Sequence, residues 1–170
     1  SSIVFYNVTA DTIEWILGGA TNTLDLFTLD GTKLTDPGAS LFYGQHNAEA
    51  VGENLYYLFD NNYHPFARDT NNSRLLIVEI DPEANSAREI WEYRLPGYAE
   101  VFGDNDRLPT TNMLSCWWPH KLYQDVGSFD EEIFEIVKDT KEIAWSLKIH
   151  GQGCSYDEHD FCIRTPEIGW

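Results

Sequence analysis

The feature that most constrains the fold is an internal repeat, because the chain can be laid on itself at a shift of 58 positions. At that shift Asn54-Leu55 falls on Asn112-Met113, and Gln45-His46-Asn47 falls on Gly103-Asp104-Asn105. Short runs of β-branched and aromatic residues, bounded by Gly, Asn, Asp and Pro, divide each copy into four strands. The predicted strands are 46–51, 55–59, 74–80 and 87–93 in the first copy, and 104–108, 113–118, 132–137 and 142–148 in the second.

A third copy supplies only the last two strands of the unit, at 2–6 and 12–17, and Trp15, Trp91 and Trp145 occupy matching places. Residues 129–138 have some helical spacing, but their apolar run favours a buried strand. Four-stranded units of this length are typical of β-propeller blades, so we predict an all-β propeller fold. The predicted segments are the second half of a blade at 1–17, an inter-blade loop at 18–45, full blades at 46–93 and 94–150, and a tail at 151–170 that can add a closing strand.

The number of blades raises a question of closure. Propellers close with about four to eight blades, and this chain holds roughly two and a half. An open stack would leave apolar sheet faces and strand edges in water. We therefore expect the remaining blades to come from another chain or from a missing part of this polypeptide. The alternative is a self-contained sandwich of about ten strands.

The charge of the chain excludes several classes of partner. A formal net charge of −17 repels nucleic acid and anionic membrane surfaces, since no basic patch is present. No run approaches the roughly 20 apolar residues of a membrane helix, so membrane insertion is not expected. An anionic substrate would need a local cationic pocket set against this global field.

Three weak signals indicate a secreted or periplasmic protein. Cys154 and Cys162 lie close together in a polar stretch where a disulfide can form, whereas Cys116 lies in an apolar run typical of a buried thiol. Asn7 and Asn71 each begin an N-glycosylation tripeptide. These signals favour an extracytoplasmic location.

Polar residues open the first strand of each complete blade. In a propeller this strand lines the central channel, and its first residues face the mouth where ligands commonly bind. His46 and Asn47 hold that place in one blade, and Asp104 and Asn105 hold it in the next. The four side chains either form a binding cluster or satisfy backbone groups and water in a wet channel.

Several motifs in register resemble one known family. They are Glu14-Trp15-Ile16-Leu17-Gly18-Gly19, Gln45-His46-Asn47-Ala48, Leu58-Phe59-Asp60-Asn61, Ser73-Arg74, Ile80-Asp81 and Trp91-Glu92-Tyr93. From about Ser2 to Leu147 their order and spacing resemble the bacterial arylsulfotransferases and their relatives. The resemblance implies a six-bladed propeller that moves a sulfuryl group from a phenolic sulfate ester to a phenol, without a nucleotide donor. It also implies that His46 carries the group as a sulfohistidine.

The chemistry assigns roles to the neighbours of His46. Asn47 can donate a hydrogen bond to the sulfuryl oxygens, and Arg74 is the best cationic candidate, although it can instead hold Asp60 in an ion pair. We expect Asp104 and Asn105 on the substrate side of the cavity. Asp104 departs from the family pattern, since an acidic side chain there would repel a sulfate. A non-catalytic extracellular propeller, acting as a scaffold or binding module in a larger assembly, is therefore the alternative function.

No organic cofactor is indicated, and the metal signals are weak. His64, His120, His150 and His159 show no metal-binding spacing. Residues 104–106 and 157–160 offer oxygen ligands that could bind calcium, but neither matches a full calcium loop. In Trp117-Trp118, alternation along a strand places one ring in the core and leaves the other to stack on a ligand, unless both rings pack internally.

Overall fold

The computed structural model describes residues 2–52, 54–63, 72–99, 102–118 and 131–149, together with the backbone of 155–156 and 162–163. Every regular element in this part of the chain is a β-strand. The strands are β1 (Ile3–Asn7), β2 (Thr12–Leu17), β3 (Asp25–Phe27), β4 (Lys33–Leu34), β5 (Gln45–Ala50), β6 (Leu55–Asp60), β7 (Arg74–Asp81), β8 (Ser86–Arg94), β9 (Asp104–Arg107), β10 (Met113–Trp117), β11 (Glu131–Ile136), β12 (Ile143–Ile149), β13 (Ser155–Tyr156) and β14 (Cys162–Ile163).

The sheets follow the repeat. Strands β5 to β8 form one antiparallel blade, β9 to β12 form the next in the same order, and β1 pairs with β2 as a partial third copy. Strand β11 lies within 129–138, which confirms the strand interpretation of that segment. The fold is all-β and is part of a β-propeller, with three successive layers rather than the two facing sheets of a sandwich.

The segment 18–45, which we expected to be a loop, contains two short strands. Strand β3 adds to the outer edge of the first complete blade by pairing in parallel with β8, and β4 pairs with β3. Leu26 is buried in the core, and the partly buried side chain of Leu34 packs against the same core. Strand β3 has three residues and β4 has two, so neither is long enough to show the alternating pattern of a strand in the sequence. Their apolar contacts explain why they form.

Two apolar clusters separate the layers. One lies between the first hairpin and the blade β5–β8 and includes Trp15, Leu58 and Leu76. The other lies between the two complete blades and includes Phe59 and Phe134. Because β7 is covered on both faces, its run of four apolar residues after Arg74 is fully buried rather than alternating.

The equivalent tryptophans show how one layer covers the next. Trp15 and Trp91 are 7% and 8% exposed because a blade packs over each, whereas Trp145 in β12 is 45% exposed. Ile143 and Leu147, on the same strand, are also about half exposed. The outer face of the last blade is therefore apolar and uncovered within the described residues.

None of the described residues belongs to a helix long and apolar enough to cross a bilayer.

Candidate active site

His46 lies on β5, the innermost strand of its blade, directly before a break in the strand register. Asn47 and Ala48 together stand opposite Leu58, which is the arrangement of a β-bulge. Asn47 has a φ of 40°, in the left-handed region that asparagine tolerates better than most residues. Neighbouring residues of a regular strand point to opposite faces, so the bulge allows His46 and Asn47 both to contact groups towards the next blade.

The imidazole of His46 is half-buried between a carboxamide and an aromatic ring. Its Nδ1 lies 2.7 Å from Oδ1 of Asn61, and its ring centre lies 6.1 Å from that of Phe102. Gly103 allows the backbone to pass close to the ring of Phe59, the cross-strand partner of His46, because a Cβ at position 103 would lie 2.5 Å from that ring. The site is thus assembled from β5, the end of β6 and the connection into β9.

Asn61 is the anchor of this arrangement and was not among the residues predicted for the site. Its side chain is fully buried, and Nδ2 donates to the carbonyl oxygens of Ala99 and Phe102 at 2.8 and 2.9 Å. Ser73 Oγ donates to the Asn61 carbonyl and accepts from the backbone N–H of Ala99. A polar residue directly after a strand is typical of a turn, so this role could not be predicted from the sequence.

Asn47 and Asp104 are in contact, whereas Asn105 does not join them. Asn47 Nδ2 donates to Oδ1 of Asp104 across the two blades. Asn105 is fully buried instead, and its Nδ2 lies 3.3 Å from the carbonyl oxygen of Leu58. The channel face here is acidic: burial raises the pKa of Asp106, and the neighbouring charges of Asp104 and Glu49 raise it further.

Arg74 lies on the opposite face of the sheet from His46. It pairs with Asp60, which shares a face with Leu58, whereas His46 pairs with Phe59 on the other face. The Arg74 guanidinium binds three carboxylates, each at 2.9 Å, in Asp60, Glu89 and Glu92.

The charges of this cluster determine its pKa shifts. Burial disfavours the charged form of Arg74, but Asp60 and Glu89 outweigh burial and raise the pKa of the guanidinium. Burial also raises the pKa values of Asp60 and Glu89, although Arg74 opposes this. An open cleft of about 870 Å³ adjoins the cluster, and His46 is not among its lining residues. The ion-pair alternative for Arg74 is therefore the one that the structure shows.

Aromatic rings continue from His46 towards β10. Phe102 and Trp118 pack edge to face with ring centres 4.7 Å apart, and Phe102 is 53% exposed. Trp117 is buried and donates from Nε1 to Glu132 at 3.0 Å. Of the two alternatives for this pair, the structure shows the divided one, with Trp117 in the core and Trp118 half-buried. A small cavity of about 130 Å³ opens beside Phe102, Asp104 and Trp118.

A known protein family accounts for nearly the whole chain. A sequence model of the arylsulfotransferase family (ASST) matches residues 1–157, which is nearly the whole chain. The chain belongs to the arylsulfotransferase family. Comparison with curated proteins gave no match. Within this family member, the matched residues include His46 and every side chain that contacts it in the described structure.

Two other described residues of this arylsulfotransferase-family chain, Asn7 and Cys116, were singled out from its sequence. The amide of Asn7 caps the first hairpin, where it donates to Glu14 and accepts from the N–H groups of Thr9 and Ala10. Cys116 is a free, half-buried thiol, and burial with three nearby carboxylates raises its pKa to about 11. No group of three potential ligands close enough to hold a metal ion occurs among the described residues, those at 104–106 included.

Several predictions fall outside the described residues. Only the backbone of Cys162 is described, so its predicted disulfide with Cys154 is not addressed. The others are Asn71, Cys154, the residues 157–160, His64, His120, His150 and His159.

Proposed function

We propose that this chain forms part of an enzyme that transfers a sulfuryl group from a phenolic sulfate ester to a phenol through a sulfohistidine at His46. The observation that supports this most strongly is the position of His46. It lies half-buried on the innermost strand of a blade, beside exposed aromatic surface, within residues that match the arylsulfotransferase family. Phe102 and Trp118 offer ring faces and edges suited to an aryl group.

The reaction would proceed in two displacements on sulfur. The lone pair of an imidazole nitrogen of His46 attacks the sulfur of the donor, the bond from sulfur to the phenolic oxygen breaks, and its electron pair leaves with the phenolate. The oxygen of the acceptor phenol, as phenolate, then attacks the same sulfur, and the sulfur–nitrogen bond returns its electron pair to the ring. A difficult transfer is thereby divided into two easier ones.

The negative charge on the sulfuryl oxygens must be stabilised by donors whose hydrogen bonds become stronger in the transition state. Asn47 can supply one N–H group, but its contact with Asp104 places a carboxyl beside the site. Arg74 is engaged by three carboxylates on the other face of the sheet. We therefore propose that the required cation is supplied by blades beyond the described residues.

The source of those blades follows from the equivalent tryptophans. Each blade covers the Trp of the layer before it, and Trp145 has no such cover in the described chain. We propose that further blades, from another chain or from another part of the polypeptide, pack on the outer face of β12. An extracytoplasmic location, secreted or periplasmic, also remains our proposal.

The catalytic proposal is tested with the complete assembly, a chromogenic aryl sulfate as donor and a phenol as acceptor. The wild type should release the coloured phenolate and sulfate the acceptor. His46→Ala should do neither. Equal release by both proteins, or none by either, would remove the catalytic proposal. Acid-labile sulfate bound to the wild type and absent from His46→Ala would identify the intermediate.

The second candidate is a non-catalytic propeller that acts as a scaffold or binding module. The acidic channel face at Glu49, Asp104 and Asp106 favours it, because these carboxylates repel an anionic ester. This function predicts a stable complex with a second chain and no turnover. A monodisperse monomer in multi-angle light scattering would argue against it.

A further inference from the structure

The orientation of the Asn61 amide is determined by its partners. Nδ2 faces two backbone carbonyl oxygens, those of Ala99 and Phe102, at 2.8 and 2.9 Å. Exchanging the amide oxygen and nitrogen would place an acceptor against two acceptors, so the alternative orientation is excluded. The oxygen of Asn61 is therefore the atom that faces His46.

This orientation fixes the proton on the imidazole. Oδ1 of Asn61 can only accept, and it lies 2.7 Å from Nδ1 of His46. A hydrogen bond at that distance requires Nδ1 to carry a proton. In the neutral ring the unprotonated nitrogen is then Nε2. Free histidine in water favours the opposite tautomer, with its proton on Nε2, so Asn61 acts against the intrinsic preference of the ring.

We propose that Asn61 is a positioning residue, which holds His46 in the Nδ1–H tautomer and so makes Nε2 the nucleophilic nitrogen. The catalytic meaning of this assignment rests on the proposed function. Asn61 is suited to the task because its side chain is fully buried and Ser73 fixes its backbone. An orienting group behind a nucleophile generally needs this kind of rigid support.

A carboxamide also suits both states of the ring. When Nε2 takes the sulfuryl group the ring becomes cationic, and the Nδ1 proton remains bonded to Asn61 Oδ1. An ionised carboxylate in the same place would stabilise the imidazolium and so favour protonation of Nε2 before the donor arrives. The neutral amide orients the ring without competing for its reactive lone pair.

Nitrogen NMR of histidine-labelled protein tests the tautomer without relying on activity. The chain has five histidines, and the signals of His46 are assigned by their loss in His46→Gln. In the complete wild-type protein at a pH where His46 is neutral, we expect a protonated Nδ1 and an unprotonated Nε2. Asn61→Leu should shift the ring towards the Nε2–H form.

The kinetic readout distinguishes positioning from general stability. Asn61→Leu should lower kcat about 10- to 100-fold with little change in KM, as is typical for loss of a group that orients a reactive side chain. Asn62→Ala is the matched control, because Asn62 lies at the same strand end and donates to Asn72 rather than to His46. In Asn62→Ala, the tautomer of His46 and the value of kcat should match those of the wild type.

The outcomes separate the two proposals. An Nε2–H signal in the wild type, or an unchanged Nδ1–H signal in folded Asn61→Leu, would overturn the role of Asn61. Should Asn61→Leu fail to fold, the wild type decides, because an Nε2–H signal from its neutral ring contradicts the assignment. Full activity of His46→Gln alongside the expected wild-type tautomer would instead refute the proposed function and leave the tautomer assignment standing.

Discussion

Removal of the Arg74 side chain should destabilise the protein strongly, and the size of the effect tests the structural role of this residue. The Arg74→Leu change leaves Asp60, which is fully buried, and Glu89, which is 5% exposed, without their cation. Breaking a buried ion pair by removing one partner costs about 3–5 kcal/mol. That loss is a large fraction of the roughly 5–15 kcal/mol that stabilises a typical domain.

Urea denaturation, monitored by tryptophan fluorescence, measures this loss of stability. Arg94→Leu is the matched control: its side chain is 55% exposed and pairs with Glu92 at 3.1 Å. An exposed pair contributes at most about 1 kcal/mol, so this control should remain close to the wild type. Arg74→Leu combined with Asp60→Asn should recover part of the loss, because the amide oxygen still accepts from the N–H groups of Tyr43 and Asn62.

The pH dependence of the loss has a defined sign. Burial already raises the pKa of Asp60, and removal of Arg74 removes a charge that lowers it. A carboxyl with a raised folded-state pKa stabilises the fold most when protonated, and that contribution disappears as the pH rises through the folded-state pKa. The difference between Arg74→Leu and wild type should therefore shrink as the pH is lowered from 7 towards the ordinary aspartate value of 3.8.

One combination of results would refute this account. If Arg74→Leu unfolds within about 1 kcal/mol of the wild type, the carboxylate cluster does not depend on the guanidinium as the buried geometry implies. If the same variant also loses sulfuryl transfer, Arg74 acts on the substrate. The expected result is instead a fall in activity that follows the folded fraction.

Three further predictions address other parts of the chain. Gly103→Ala should lower the free energy of unfolding, measured by urea denaturation, by about 2–4 kcal/mol, because the new Cβ would lie 2.5 Å from Phe59. Gly52→Ala is the control: a Cβ there meets nothing within 4 Å, so only backbone strain of about 1–2 kcal/mol is expected. Equal losses would contradict the steric argument. Cys116, with a pKa of about 11, should react with iodoacetamide at pH 8 roughly tenfold or more slowly than in unfolded protein, and a mass-spectrometric rate equal to the unfolded one would show an accessible thiolate. Trp145→Glu should weaken association with the completing blades in light scattering while circular dichroism stays unchanged, and unaltered association would place the interface elsewhere.

The strands were predictable because their signals are local. Turn residues and apolar runs recur at a fixed shift, and the predicted bounds of the blade strands lie within one or two residues of those observed. Strands β3 and β4 were not predictable, because they are short and form only by adding to the outer edge of β8. The ion pair of Arg74 with Asp60 was anticipated, but its further partners Glu89 and Glu92 were not, because adjacent predicted strands do not reveal the register that brings these carboxylates to Arg74.

The site shows more sharply where sequence reasoning ends. Asn47 and Asn105 are equivalent in the repeat, yet one contacts Asp104 at the channel and the other is fully buried between the blades. The difference arises from one extra residue: β5 has a register shift after His46, whereas β9 pairs with β10 without a shift. Because side chains alternate along a strand, a single bulge changes the face that the following residue presents. The repeat therefore located the residues of the site, but only the backbone geometry around His46 determined that Asn61, at the end of the neighbouring strand, would be its partner.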